Sequence, residues 1–286
     1  MSGVSAGTVD RVLHNQGRVS RDALDKVINV LNQIDYKPNL LARSLGSKRN
    51  FRIAAIVPDP DLDPYWKLCS LGLKMAEEEW GQYGAIVEPY FFDLYDGASF
   101  TKVARLLSES KPDGILIAPI FHQEALPLFE ACARESIPYV LFNTNIHEAN
   151  PLCFIGQDLY QSGRVGGELM ALGLQPQATI AIVHTFEDVH NSVHLEEKEK
   201  GFRDYFTENL KTDFNLVTYD IRDHDAHQAE VVISELLNTP NLKGIFSSTS
   251  SVTSVAAAIV ALQAVKGIRL IGYDLLDDNL KYLQAG

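Results

Sequence analysis

From Phe51 onward the chain repeats one unit: a continuous apolar run, a few turn residues, then an amphipathic stretch of ten or more residues. The first run is FRIAAIV, followed by KLCSLGLKMAEEEW, and the later runs are IVEPYFF, GILIAP, PYVLFN, LCFIG, TIAIVH, NLVTYDI, GIFSST and IRLIGYD. Apolar runs without polar alternation are strands buried on both faces, and strands separated by helices run parallel. The body is therefore predicted to be α/β and doubly wound. Nine such strands exceed one comfortable sheet, so two Rossmann-like lobes are expected, with the break near Gly156 to Gly163.

The first 49 residues follow a different pattern. Ser5 is placed to cap a short helix with Val9, Val12 and Leu13 on one face, which Asn15, Gln16 and Gly17 end. Ser20 is placed to cap a longer helix whose stripe runs Leu24, Val27, Ile28, Leu31 and Ile34, closed by Asp35 through Pro38. Asn39 is positioned to cap a third helix, LLARSL, ended by Gly46. Three short helices bury little surface by themselves and need a partner. Charge separates the same segment: the chain carries −12 overall, yet residues 1–49 hold eight basic and four acidic side chains, a head of +4 that leaves −16 on the body. A basic module on an acidic body suggests nucleic acid as a partner of the head.

The residues GVS..TV.RVL.N...VS......V......DYKPN..AR.L, from Gly3 through Leu45, resemble the DNA-binding headpiece of the LacI-type bacterial transcription regulators. The body resembles the periplasmic-binding-protein-like effector domain of the same family. The resemblance implies a small all-α helix-turn-helix headpiece with a hinge helix in residues 1–49 and a two-lobed, type I ligand-binding domain in residues 50–286. The first lobe is expected near 50–158 together with 277–286, and the second near 159–276. Only Met1 and Ser2 precede the GVS motif, and the chain stops in a helix where the family continues with a strand and a helix. On that pattern the sequence is expected to be truncated at both ends, and its headpiece to be partial.

The resemblance also implies site residues. DNA would be met by Ser5, Ala6, Gly7, Thr8, Asp10 and Arg11 of the recognition helix, and by Asn39, Ala42 and Leu45 of the hinge. Arg11 is the candidate for a guanine or phosphate, because its planar fork matches guanine O6 and N7. Asp10 is placed to accept from a cytosine amine or to support Arg11. Ser5 and Thr8 also read as plain helix caps. Leu45 matches the family's minor-groove wedge, with an ordinary linker residue as its alternative reading.

Open α/β sheets bind ligands at the carboxyl ends of their strands. Asp59, Tyr65 and Trp66 lie in PDPDLDPYW directly after the first strand, and Asn143, Asp158, Ser250 and Asp274 follow later strands. These are the predicted contacts to a sugar or related small molecule, with Trp66 fitting either an aromatic platform or the core. Lys198, in EKEKGF, stands where many members of the family have an arginine; a lysine is a point donor without the bidentate fork.

Catalysis has no motif to carry it. GxGxxG and GxxxxGK[ST] are both absent from the sequence. His190 and His194, near Glu187 and Glu196, lack HExxH and are expected to be a solvated helix start rather than a metal site. Neither metal nor cofactor is expected. Cys69, Cys132 and Cys153 are dispersed and no segment has the length and apolarity of a membrane span, so a cytoplasmic protein without membrane contact is expected. The function expected is a non-enzymatic, ligand-responsive repressor, homodimeric so as to read a pseudo-palindromic double-stranded DNA operator. Two alternatives stay open: a solute-binding protein of the same fold without DNA binding, and a regulator that has kept its ligand and lost its operator.

Overall fold

The computed structural model describes residues 2–13, 17–34, 50–208, 214–222, 226–264 and 267–286, divided into two units, residues 1–49 and 50–286. In the first unit, helix α1 spans Ala6–Leu13 and α2 spans Arg21–Gln33. Ser5 Oγ accepts from the Thr8 N–H at 3.2 Å, and Ser20 Oγ from the Ala23 N–H at 3.4 Å, so each helix starts on a serine that satisfies an orphan amide. Val27 is buried, whereas Leu13, Leu24, Ile28 and Ile34 stay exposed. The expected third helix, with Asn39, Ala42 and Leu45, lies outside the described residues.

The second unit holds two parallel sheets. The first contains β1 (Phe51–Pro58), β2 (Ala85–Phe92), β3 (Gly114–Ile117), β4 (Tyr139–Phe142) and β5 (Phe154–Ile155) in the order β2-β1-β3-β4-β5. Helices α3 (Lys67–Trp80), α4 (Gly97–Ser110) and α5 (His122–Glu135) connect its strands. The second contains β6 (Thr179–Thr185), β7 (Asn215–Ile221), β8 (Leu242–Ser247) and β9 (Arg269–Ile271) in the order β7-β6-β8-β9. Around it lie α6 (Leu159–Ala171), α7 (Val193–Glu208), α8 (Ala226–Leu237), α9 (Val252–Ala261) and α10 (Asp277–Ala285). Every residue of β6 is buried, as a strand with helices over both faces requires. In each sheet the first strand is flanked by the next two, so the strand order reverses beside β1 and beside β6. The carboxyl ends there open a crevice.

Each lobe has its own core. Ile56, Phe92, Phe100, Ile117 and Leu141 centre the first, while the second has one cluster on each face of its sheet, around Val183, Ile233 and Val255 and around Met170, Phe202 and Phe246. Helices α6 and α7 cross at unusually close range. A Cβ on Gly163 would overlap the Lys198 carbonyl, and one on Gly201 would overlap the Tyr160 carbonyl. Only glycine lets the two backbones meet this way.

The C-terminal segment departs from the expected arrangement. Helix α10, expected with the first lobe, packs against α9 of the second. Asn279 holds it there: its side-chain amide donates to the carbonyls of Ser250 (3.1 Å), Tyr273 (2.9 Å) and Asp274 (3.2 Å), and Thr253 donates to its Oδ1. Three carbonyl partners and a hydroxyl satisfy this one side chain fully. Substituting Gly201→Ala is expected to destabilise the protein by about 1–3 kcal/mol, the usual cost of overpacking, because α6 and α7 must separate. Urea unfolding midpoints check this; an unchanged midpoint would mean that the crossing relaxes freely.

Candidate functional site

The site begins in the loop after β1. Asp63 accepts the Tyr65 N–H at 2.9 Å and Pro64 follows it, so a single 3₁₀ turn, Pro64–Trp66, forms there. That turn directs Tyr65 and Trp66 to the crevice. Tyr65 Oη donates to Asn143 Oδ1 at 2.9 Å, joining the loop to the end of β4. Trp66 is only 2% exposed and stands edge-on to Tyr65 and Phe142, with centroids 5.2 and 6.2 Å away. It is both core and wall.

The opposite wall comes from the second lobe. Lys198 projects from α7, is buried, donates to the Ser248 carbonyl at 3.0 Å and lies 4.0 Å from the centre of the Tyr273 ring. Burial pushes its pKa down, while Asp274 and Glu187 pull it back up. Asp274 is shifted upward by burial, against the opposing effect of Lys198. Burial likewise pushes Tyr65 up, to about 12, with Asp274 adding to it. Burial also raises Glu187, but His194, Lys198 and His184 outweigh it and hold that carboxyl below the usual range.

Six of the expected ligand residues line one cavity between the lobes: Tyr65, Trp66, Asn143, Lys198, Ser250 and Asp274. Two do not. Asp59 stays in its own turn, accepting from the Asp61 N–H at 2.9 Å, and Asp158 is exposed and caps α6 through the Gln161 N–H at 2.9 Å. Asn143 and Asp274 are both left-handed, with φ of 68° and 70°. Asn and Asp tolerate that region better than other non-glycine residues, and strain of this kind gathers at binding sites.

Three further ionisable lining groups were not among the expected contacts: Asp63, Glu187 and His194. Asp63 shares the acidic loop with Asp59, and its place before Pro-Tyr-Trp was the available signal. His194 was expected in a solvated helix start and is instead 7% exposed, with Nε2 2.9 Å from Glu187 Oε2. The correction has a physical reason: Asp188 caps a short turn at Val189–Asn191, which leaves His190 outside and starts α7 with His194 facing inward. Among the described residues no three His, Cys, Asp or Glu side chains gather as a metal site would need.

Behind Lys198 lies an array in the order serine, histidine, glutamate. Ser248 Oγ is 2.7 Å from His184 Nδ1, and His184 Nε2 is 2.7 Å from Glu199 Oε2. Arg203 Nε donates to the other Glu199 oxygen at 2.6 Å. Ser248 and His184 are 0% and 1% exposed, so the array ties the ends of β6 and β8 to α7 and presents no nucleophile to a substrate. The lobes also meet at one polar contact, where Asn191 accepts the Gln123 N–H at 2.9 Å and donates to Glu124 at 2.7 Å.

In the head, α1 presents Ala6, Gly7, Asp10 and Arg11 to solvent, with Thr8 half-buried. Ser5 Oγ and Thr8 Oγ1 are 2.9 Å apart, and Arg11 Nε donates to the Gly7 carbonyl at 3.0 Å. Its guanidinium thus folds back along the helix.

Two parallel-sheet lobes with a polar cleft at their strand ends define a class of small-molecule-binding proteins. The chain belongs to the periplasmic binding protein domain family, whose model matches residues 53–286, and carries at residues 1–39 the domain of bacterial regulatory proteins, lacI family. It is similar to the HTH-type transcriptional regulator DegA of Bacillus subtilis, 35% identical over 143 residues, which is 50% of this chain and 41% of that protein. It is also similar to a ribose operon repressor of Halalkalibacterium halodurans, 26% identical over 276 residues, 96% of this chain and 75% of the relative. In fold it resembles GanP, a glucose-galactose binding protein from Geobacillus stearothermophilus, with a TM-score of 0.74 at 22% identity over 84% of this chain and 83% of that one. These relatives are regulators and a binding protein rather than enzymes.

The brace makes stability depend on acid. His184 and Arg203 outweigh burial and lower Glu199 from 4.5 to about 2. A depressed carboxyl stabilises the fold fully above its unfolded pKa, and the contribution is lost as pH falls toward the folded value. Wild type is expected to lose up to about 3 kcal/mol between about pH 5 and pH 2 through this group. In urea titrations across that range, Glu199→Gln is expected to flatten that part of the slope; an unaltered slope would place the acid sensitivity elsewhere.

Proposed function

We propose that the chain is a ligand-responsive, DNA-binding transcriptional regulator: a homodimeric repressor whose operator affinity is set by a sugar or related small molecule held between the lobes. One observation carries the reading: a lacI-family domain at residues 1–39 shares the chain with a cleft that gathers six polar and aromatic side chains from both lobes. Either alone would allow a simpler function. The ribose operon repressor and the glucose-galactose binding protein among its relatives support a sugar as the effector class.

In this reading α1 lies in the major groove, with Arg11 released from its Gly7 contact to meet a guanine or phosphate. Ser5, Ala6, Gly7, Thr8 and Asp10 form the rest of that surface, while Asn39, Ala42 and Leu45 belong to the hinge. A palindromic operator requires two heads. Leu68, Leu71 and Met75 form an exposed apolar stripe on α3, at 79%, 53% and 61% exposure, which supports self-association through the body. No described helix is long and apolar enough to cross a membrane, and the operator role assigns the protein to the cytoplasm. A solute-binding protein without DNA binding is the second reading, favoured by the fold likeness to GanP and opposed by the head.

The test is operator selection from a random duplex library with the full native chain, then titration of the selected site with and without sugars. Enrichment of an inverted repeat is expected, and Arg11→Ala should weaken binding by roughly tenfold. Asp274→Ala should abolish the response to effector. A chain that binds sugars and enriches no sequence would favour the solute-binding reading.

A further inference from the structure

The charges in the cleft do not balance. Its lining has three carboxylates, Asp63, Glu187 and Asp274, against Lys198, His194 and no arginine. Lys198 is already engaged, with its ammonium on the Ser248 carbonyl and over the Tyr273 ring. Asp274 is solvent-exposed, and among the described residues its carboxylate makes no hydrogen bond and has no cation within 4.0 Å. Acidic side chains thus outnumber the basic ones in the lining.

Unmet hydrogen-bonding capacity lies in the same place. Glu187 Oε2 and His194 Nδ1 are buried and have no hydrogen-bond partner; Nε2 of His194 approaches that oxygen to 2.9 Å but is not aligned to bond it. His194 is nine-tenths buried, so water does not readily serve these atoms. His194, Lys198 and His184 already favour the charged form of Glu187, so what the carboxylate lacks is an aligned donor, and a ligand N–H group supplies one. A hydroxyl brings one donor, acceptor lone pairs and no charge. An alkylammonium brings three N–H donors and no acceptor that a carboxylate would repel. Tyr65 and Trp66 add aromatic rings to the lining of the same cavity.

We propose that the effector is a small polyhydroxylated molecule carrying a protonated amine, an amino sugar or amino polyol, with its ammonium against Glu187 and Asp274. This deepens the cleft reading given above and rests on it. Asn143, Ser250 and Lys198 then face hydroxyls, and Asp63 stays with the Tyr65 turn.

The experiment is calorimetric titration of the full chain at about pH 6, where alkyl amines are protonated. The probes are D-glucosamine, D-galactosamine and D-mannosamine, each beside its neutral parent, with D-ribose added. At least one amino sugar is expected to bind about tenfold or more tighter than its parent. Glu187→Gln, confirmed as folded by its thermal transition, is expected to erase that preference, and Asp274→Asn to reduce it. A neutral sugar that binds as tightly as its amine, or a preference that survives both substitutions, overturns the inference and leaves the sugar-cleft reading standing. Binding of neither class overturns both.

Discussion

The placement of His194, Lys198 and Glu199 depends on how closely α6 and α7 cross. Gly163 and Gly201 let one backbone rest on the carbonyls of the other, and this fixes the rotation of α7. That rotation turns His194 and Lys198 toward the cavity and Glu199 toward β6. An extra methyl group at the crossing would move ionisable groups whose neighbours are set to tenths of an ångström.

The rest of the second lobe supports that placement with polar contacts. His184 links Ser248 to Glu199, and the Ser248 carbonyl takes the Lys198 ammonium. On the other side, Asn279 gathers the loops after β8 and β9 through three carbonyls, which brings Ser250 and Asp274 to the same cavity. The first lobe contributes an aromatic wall, in which Trp66 is packed as core and Tyr65 is tied to Asn143. A charged side therefore faces a largely aromatic one, and Asn191 bridges the two lobes at α5.

Much of the site was legible because strand ends are legible. A parallel strand buried on both faces reads as an uninterrupted apolar run, and the polar residue that ends the run can reach the crevice; Asn143, Ser250 and Asp274 line the cavity in this way. The same logic also picked Asp59 and Asp158, which lie outside the lining, since a residue next to a strand can equally serve a turn or a helix cap. Asp59 and Asp63 each precede a proline, and only Asp63 stands before Pro-Tyr-Trp. His194 was missed because inward rotation at the start of a helix leaves no periodic signal when the helix is as charged as VHLEEKEKGF.

The sequence by itself determined the class: apolar runs alternating with amphipathic stretches allow parallel sheets and little else, and the head's spacing of caps and stripes specifies its two described helices. These are local properties, written in periods of two and 3.6 residues. Which charges share the cavity was decided only in three dimensions. Asp63, Glu187 and Asp274 come from loops far apart along the chain, and α10 chose its lobe through one asparagine amide. Long-range electrostatics and close packing have no period, so only the folded chain brings them together.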